Sequence, residues 1–143
     1  MKHVPNDRSL PDIVVSTDNH KRIVDLALGV EDTAPEVASV LLNEMDRARV
    51  VEAVPVRTVQ MGSTTEFRTE AGQELRVTLV FPGEADIAQN RVSILTPIGA
   101  ALIGLSAGQS IAWSARDGRQ RTLTVLAVEP PAAPAGELQL QSL

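Results

Sequence analysis

The chain contains no cysteine, which removes disulfide frameworks, thiolate metal sites and cysteine nucleophiles at once. Tyrosine is also absent, and the aromatic residues amount to Phe67, Phe81 and Trp113. Histidine occurs as His3 and His20, far apart and without a ligand-spaced partner, so neither metal binding nor histidine-based catalysis is expected. Lysine occurs only as Lys2 and Lys21. Gly99, Gly104 and Gly108 therefore cannot form a phosphate-cradling loop, which needs a lysine directly after its last glycine. No stretch approaches the ~18 apolar residues of a membrane-spanning helix. The start, Met1-Lys2-His3-Val4-Pro5-Asn6-Asp7, lacks the apolar core of a secretory signal. The expected address is the cytoplasm.

What is present is ordinary for a soluble globular protein. At 143 residues, 43% hydrophobic and 22% charged, the chain is one domain or a small domain with an appendage. The net charge of −5 is unevenly placed: residues 1–53 carry six Lys/Arg against ten Asp/Glu, and residues 54–143 seven against eight. Neither half has the basic footprint of autonomous nucleic-acid binding. With this charge, a protein working beside DNA or RNA is brought there by another protein.

Residues 1–53 read as a polar start followed by a helical hairpin. Ile13-Val14-Val15 is a short apolar stretch, readable as a strand or as an anchor. Ser16 or Thr17 suits the N-cap of a helix of about 12 residues, roughly 18 Å, ending at Leu28 with Gly29 at C′. Within it Ile23, Leu26, Ala27 and Val30 fall at helical spacing. Thr33-Ala34-Pro35-Glu36 reads as a capping box with proline in the first turn of a second helix. There Ala38, Leu41, Met45 and Ala48 recur as the seam of a two-helix coiled coil. Glu44 with Arg47 and Asp46 with Arg49 are acid-before-base neighbours expected on its wet face. So short a link makes the two helices antiparallel.

From Val54-Pro55-Val56 the pattern changes to period two. Leu75, Val77, Leu79 and Phe81 alternate with Arg76, Thr78 and Val80, and Ile111 and Trp113 repeat the alternation. Asp117-Gly118 signals a type I′ hairpin turn. The strand from Arg121 to Val128 is apolar on both faces near its end and is expected to be central. Residues 82–91 form a polar loop. Between these strands lies a distinctive corner. The β-branched Val92 and Ile94 stop at Thr96-Pro97, where Thr96 suits an N-cap and Pro97 the first helical position. A short apolar helix follows, and Gly104 and Gly108 let the chain turn back. The sum is an α+β design in which an antiparallel sheet packs on one short helix over residues 54–130. Its period-two core is expected to borrow nothing from the helices' seam. Residues 131–143 are expected to be a disordered tail.

The wording of that corner, Thr96-Pro97-Ile98 followed by Leu102-Ile103-Gly104, resembles the C-terminal domain of the bacterial Gre transcript-cleavage factors. Those factors have strand, Ser-Pro-Ile, short helix and Leu-Ile-Gly at the same corner. Val59-Gln60-Met61-Gly62-Ser63-Thr64 resembles the strand-turn that opens the same domain, and Val125-Leu126-Ala127-Val128-Glu129 falls at its last strand. Leu42-Asn43-Glu44-Met45-Asp46-Arg47-Ala48 is similar to the second hairpin helix of shorter Gre relatives, the Rnk type, named as regulators of nucleoside diphosphate kinase. The resemblance covers roughly residues 12–130. It implies an FKBP-like sheet domain, RNA polymerase as partner, and a possible second link to nucleoside diphosphate kinase, direct or through its expression.

The resemblance singles out three places. Thr96, Pro97 and Ile98 match the segment around which the Gre sheet domain docks on a coiled coil at the rim of the polymerase secondary channel. From the residues alone they equally read as a capped helix start with Ile98 in the core. Glu31 and Asp32 lie at the hairpin tip, where the cleavage factors carry an acidic pair that helps hold a catalytic magnesium. Adjacent carboxylates suit that ion, yet so short a hairpin stops short of the catalytic centre. The plain reading is acids favoured beside a helix N-terminus. Arg116, Arg119 and Arg121 straddle the Asp117-Gly118 turn as the only basic cluster, either a solvated hairpin end or a contact for an acidic patch. An FKBP-like fold does not bring prolyl isomerase activity with it, because the three aromatics fall at core-facing strand positions. The expectation is a non-enzymatic regulator of polymerase that needs no cofactor and competes with Gre factors without cleaving RNA.

Overall fold

Ser16 starts the helical part of the chain with its own side chain. In the computed structural model, which describes residues 10–114 and 118–131, it ends β1 (Val14–Ser16) and caps α1 (Thr17–Gly29). Its hydroxyl accepts from the Asn19 N–H at 3.0 Å, satisfying one of the open donors of the first turn. Gly29 is the last helical residue, and Val30 closes the helix in its place. The second helix, α2 (Pro35–Arg47), begins on proline, but the expected capping box does not form. Ala34 is the N-cap without a side-chain bond, while Thr33 donates its hydroxyl back to the Val30 carbonyl at 3.4 Å. That carbonyl also accepts from the Thr33 and Ala34 amides, which stitches the turn.

The two helices pack on Ile23 and Ala27 of α1 and on Ala38, Leu41 and Met45 of α2, all buried. His20 Nε2 lies 3.1 Å from the Met45 carbonyl oxygen and ties the pair on its flank. Glu44 is not on a wet face. It is 8% exposed, its carboxylate held by both Nε and Nη2 of Arg47 at 2.9 and 2.8 Å, and Arg47 also donates to the Pro11 carbonyl. A carboxylate so enclosed needs that partner, because an unpaired buried charge is strongly destabilising. Arg49, the expected partner of Asp46, lies beyond the helix in β2 (Arg49–Val51), which runs parallel to β1. Of the apolar stretch, Val14 and Val15 therefore lie in a strand and Ile13 directly precedes it.

The remaining elements are β3 (Thr64–Thr69), β4 (Glu74–Val80), β5 (Arg91–Ser93), α3 (Pro97–Leu102), β6 (Ser110–Ser114) and β7 (Gln120–Glu129). The sheet order is β5-β4-β3-β7-β6, so the fold is mixed α+β. β7 is an interior strand, as its two apolar faces led us to expect. The sheet is not wholly antiparallel, because β5 pairs parallel with β4. Two short turns of 3-10 helix, Pro82–Glu84 and Ile87–Gln89, and a left-handed Asn90 carry the chain back to Thr78, in the last part of β4, before β5 begins. The β6–β7 register pairs Ser114 with Gln120, and the expected Asp117-Gly118 turn falls in the connection between them. Asp117 and Arg116 lie outside the described residues, as does nearly all of the expected disordered tail.

The sheet core does borrow from the helices. Ile23, Leu41 and Met45 join Phe67, Leu102 and Leu123 in one buried cluster, together with Ile13, just before the N-terminal strand, and Val15 within it. Asn19 Oδ1 accepts from the Met61 N–H at 3.1 Å, and Arg22 lies 4.2 Å over the Phe81 ring. The close approach between the two parts is at Gly104, where φ is +81° and an added Cβ would sit 2.8 Å from the Ile13 Cβ. Gly104→Ala is expected to cost about 2–4 kcal/mol, from left-handed backbone strain plus overpacking. In urea titrations, helical circular dichroism and Trp113 fluorescence are expected to fall in one coincident transition, at lower midpoint in the variant. Native stability in Gly104→Ala, or separate transitions for the two signals, would contradict the shared core.

Candidate functional site

The corner between β5 and α3 is built by short-range hydrogen bonds that leave its proline outward. Thr96 Oγ1 accepts from the Gly99 N–H at 3.0 Å and donates to the Ser93 carbonyl at 2.8 Å. The Leu95 N–H donates to Ser93 Oγ at 2.9 Å. Gly99 is needed because a Cβ there would lie 2.2 Å from the Ser93 carbonyl oxygen. These contacts fix where Pro97 and Ile98 point, without asking either side chain to hold the corner.

The three corner residues thus have separate tasks. Thr96 is the cap. Ile98 is half-buried and packs against the core. Pro97, also half-buried, lines a cleft of about 790 Å³ between α2 on one side and α3 with β6 on the other. Val37 and Val40 of α2, Leu95 and Trp113 are among its apolar walls. Trp113 Nε1 is buried there and, among the described residues, meets no hydrogen-bond acceptor. Such a donor is costly to leave unpaired. Trp113 packs against the core, as its strand position leads one to expect, and also lines the cleft, which nothing in an alternating Ile-Ala-Trp strand signals.

Glu31 and Asp32 are exposed in the turn between α1 and α2, apart from the capping bonds. Among the described residues, no group of three acidic or histidine side chains gathers as a metal would require. Thr33 and Pro35, next to the tip acids, line the same cleft as Pro97, so the turn and the corner border one feature. Of the basic cluster, Arg119 is exposed in the β6–β7 connection and Arg121 stands opposite Trp113 in the strand pair. No helix among the described residues is long and apolar enough to cross a membrane.

Comparison with known proteins divides along the same lines. Residues 54–130 match the family described as transcription elongation factor GreA/GreB, C-terminal part, and residues 11–51 match the Rnk N-terminus. The regulator of nucleoside diphosphate kinase from Escherichia coli strain K12 is 34% identical over 135 residues, covering 92% of this chain and 99% of the relative. The transcription elongation factor GreA of Thermosipho melanesiensis is 30% identical over 79 residues, 54% of this chain and 51% of that factor. The solved structure of a GreA/GreB elongation factor from Nitrosomonas europaea superposes with a TM-score of 0.67 at 32% identity, over 83% of this chain and 100% of that one.

Separate roles for the corner residues predict separate consequences. Thr96→Ala is expected to lower stability by about 1 kcal/mol, the usual worth of a helix cap. Ile98→Asp is expected to cost more, about 2–3 kcal/mol, because a carboxylate replaces apolar packing. Denaturant titration of both variants checks the order. A Thr96→Ala protein as stable as the parent would show that the cap does not hold the corner.

Proposed function

We propose that this chain, which belongs to the GreA/GreB transcription elongation factor family and carries a Rnk N-terminus, regulates transcription by binding RNA polymerase at the rim of its secondary channel. Its relatives are regulators and transcription factors. The observation that carries the reading is the Thr96-capped corner, which presents Pro97 at an apolar cleft within residues that match the GreA/GreB C-terminal part. In this reading Thr96, Pro97 and Ile98 form the docking segment, with Pro97 as the contact at the cleft. Residues 54–130 are the FKBP-like docking domain, and residues 1–53 bring a short antiparallel coiled coil to the channel entrance.

The helices decide what such a protein does once docked. Each has 13 residues, about 20 Å at 1.5 Å per residue. Glu31 and Asp32 at their tip therefore stop short of the polymerase's catalytic magnesium. The protein competes with Gre factors for the channel in the cytoplasm and does not stimulate transcript cleavage. It needs no cofactor and no nucleic-acid contact of its own, consistent with a net charge of −5. In this reading Arg116, Arg119 and Arg121 add an electrostatic contact to an acidic patch of the partner. A second reading has its own support, since the 34% identical relative is named a regulator of nucleoside diphosphate kinase. That regulation acts either on the kinase or on its level.

Purified protein added to stalled polymerase complexes is expected to leave transcripts uncleaved and to reduce the cleavage stimulated by a Gre factor. Cleavage by this protein alone that disappears in Asp32→Ala would overturn the length argument. Separate pull-downs with purified core polymerase and purified nucleoside diphosphate kinase decide between the readings. Retention of polymerase supports the first. Retention of the kinase alone overturns it in favour of the second.

A further inference from the structure

The two edges of the main sheet are finished differently. At one edge, Arg91 of β5 exchanges two backbone bonds with Asp86, each of 2.9 Å, which closes that side. At the other, β6 carries neither a charged residue nor a proline, the usual protections of an open edge. Which of its backbone groups point outward follows from β7. The Val125 N–H donates to the Gln109 carbonyl, on the β6 side, whereas the Thr122 N–H donates to Glu70 Oε1, just beyond β3 on the opposite side. Bonding alternates along an antiparallel pair. Ser110, Ala112 and Ser114, which stand opposite Thr124, Thr122 and Gln120, therefore direct their N–H and C=O groups away from β7. Among the described residues, no backbone group takes them up.

This open edge faces the cleft. Ile111, Ala112, Trp113 and Ser114 all line it, although successive side chains of a strand point to opposite faces. Consecutive residues can border one cleft only along the edge of their strand. Val37 and Val40 of α2 stand across the gap, and Val40 is 46% exposed. The charged side chains that line the cleft, among the described residues, are Glu36 and Glu44. Arg47 neutralises Glu44, whereas Glu36 is exposed and in no ion pair among the described residues. A matching occupant has free backbone groups on one side, aliphatic side chains on the other, and a cation.

We propose that the cleft binds an extended peptide segment of a partner protein, which adds to the five-stranded sheet as a further strand beside β6. Its backbone exchanges bonds with Ser110, Ala112 and Ser114, as in other cases of strand addition. Aliphatic side chains at alternate positions pack on Val37 and Val40, and a Lys or Arg meets Glu36. A helix would not serve, because its backbone groups are already bonded within it and the edge would stay unsatisfied. The edge of a second copy brings further strands behind it, and these meet α2 across the gap. The site does not depend on the polymerase reading.

The test titrates the full chain with the synthetic peptide acetyl-Arg-Val-Thr-Val-Thr-amide and follows amide exchange at Ala112 by NMR. Exchange there is expected to be fast in the free chain and to slow about tenfold or more at saturating peptide. N-methylation of alternate peptide residues is expected to separate them into two sets. The set facing β6 loses about tenfold in affinity, and the other set keeps it. Ala112→Pro removes an edge donor that β7 does not use, with a similar expected loss. Glu36→Gln is expected to weaken binding about threefold at low salt, and the difference to fade as ionic strength rises. Where Ala112→Pro does not fold, the methylated peptides on the parent chain decide. No binding at millimolar peptide, binding indifferent to methylation, or parent affinity in Glu36→Gln at low salt overturns the proposal. So does an Ala112 amide that is already slow in the free chain. Protection independent of protein concentration then assigns the edge to the chain's own residues, and protection lost on dilution assigns it to a second copy.

Discussion

The N-terminal strand lies against Gly104 with no room for a side chain, and the arrangement of the molecule depends on this contact. The Val14 N–H donates to the Gly104 carbonyl at 3.1 Å, the Gly104 N–H donates to the Val59 carbonyl at 3.0 Å, and the Arg49 N–H donates to the Ile13 carbonyl at 2.9 Å. Gly104 therefore joins the strand that enters the helix pair to the segment that opens the sheet, and Ile13 beside it takes the bond from the strand that leaves the helices. The left-handed φ of Gly104 and the Ile13 side chain above it admit only glycine without strain. The helices leave this junction with their seam already directed at the sheet.

Geometry of this kind has functional weight because docking and reach are set by different residues. The corner that presents Pro97 is fixed by Thr96, Ser93 and Gly99, and the tip acids are placed by the Val30 turn. Were the two parts joined by a mobile linker, a partner at the corner would leave the tip free to wander. With buried residues of both parts in one cluster, the position of the corner determines that of the tip. The cleft between α2 and β6 is a product of the same packing. It has two walls only because both parts are held together.

Much of this was legible in the residues. Thr96-Pro97 announced a capped helix start, and α3 begins there. The 3.6-residue periodicity gave both long helices, because Ile23, Ala27, Ala38, Leu41 and Met45 form a seam whatever surrounds them. The resemblance to the Gre factors was also readable, through the corner and its flanking strands. The misreadings have physical causes. β3 went unnoticed because Thr64–Thr69 has Phe67 as its one large apolar side chain, although Thr65 is fully buried beside it. The capping box failed because Thr33 bonds backwards to Val30. Glu44 looked solvated because a carboxylate next to a seam usually is, and only the fold shows Arg47 and Pro11 closing over it. Trp113 was assigned correctly to a strand, but which wall it serves depends on α2, a helix distant in sequence.

Native-state hydrogen exchange measures the central claim, that helices and sheet form one body, most directly. The amides of Leu41 and Met45 in α2 and those of Leu123 and Val125 in β7 are buried within a single cluster. They are expected to exchange only through global unfolding, with equal opening free energies and equal dependence on denaturant. Helix amides that open at a free energy several kcal/mol below those of β7, with little denaturant dependence, would contradict the account. The helix pair would then be a separately unfolding unit, and nothing would fix the tip relative to the corner.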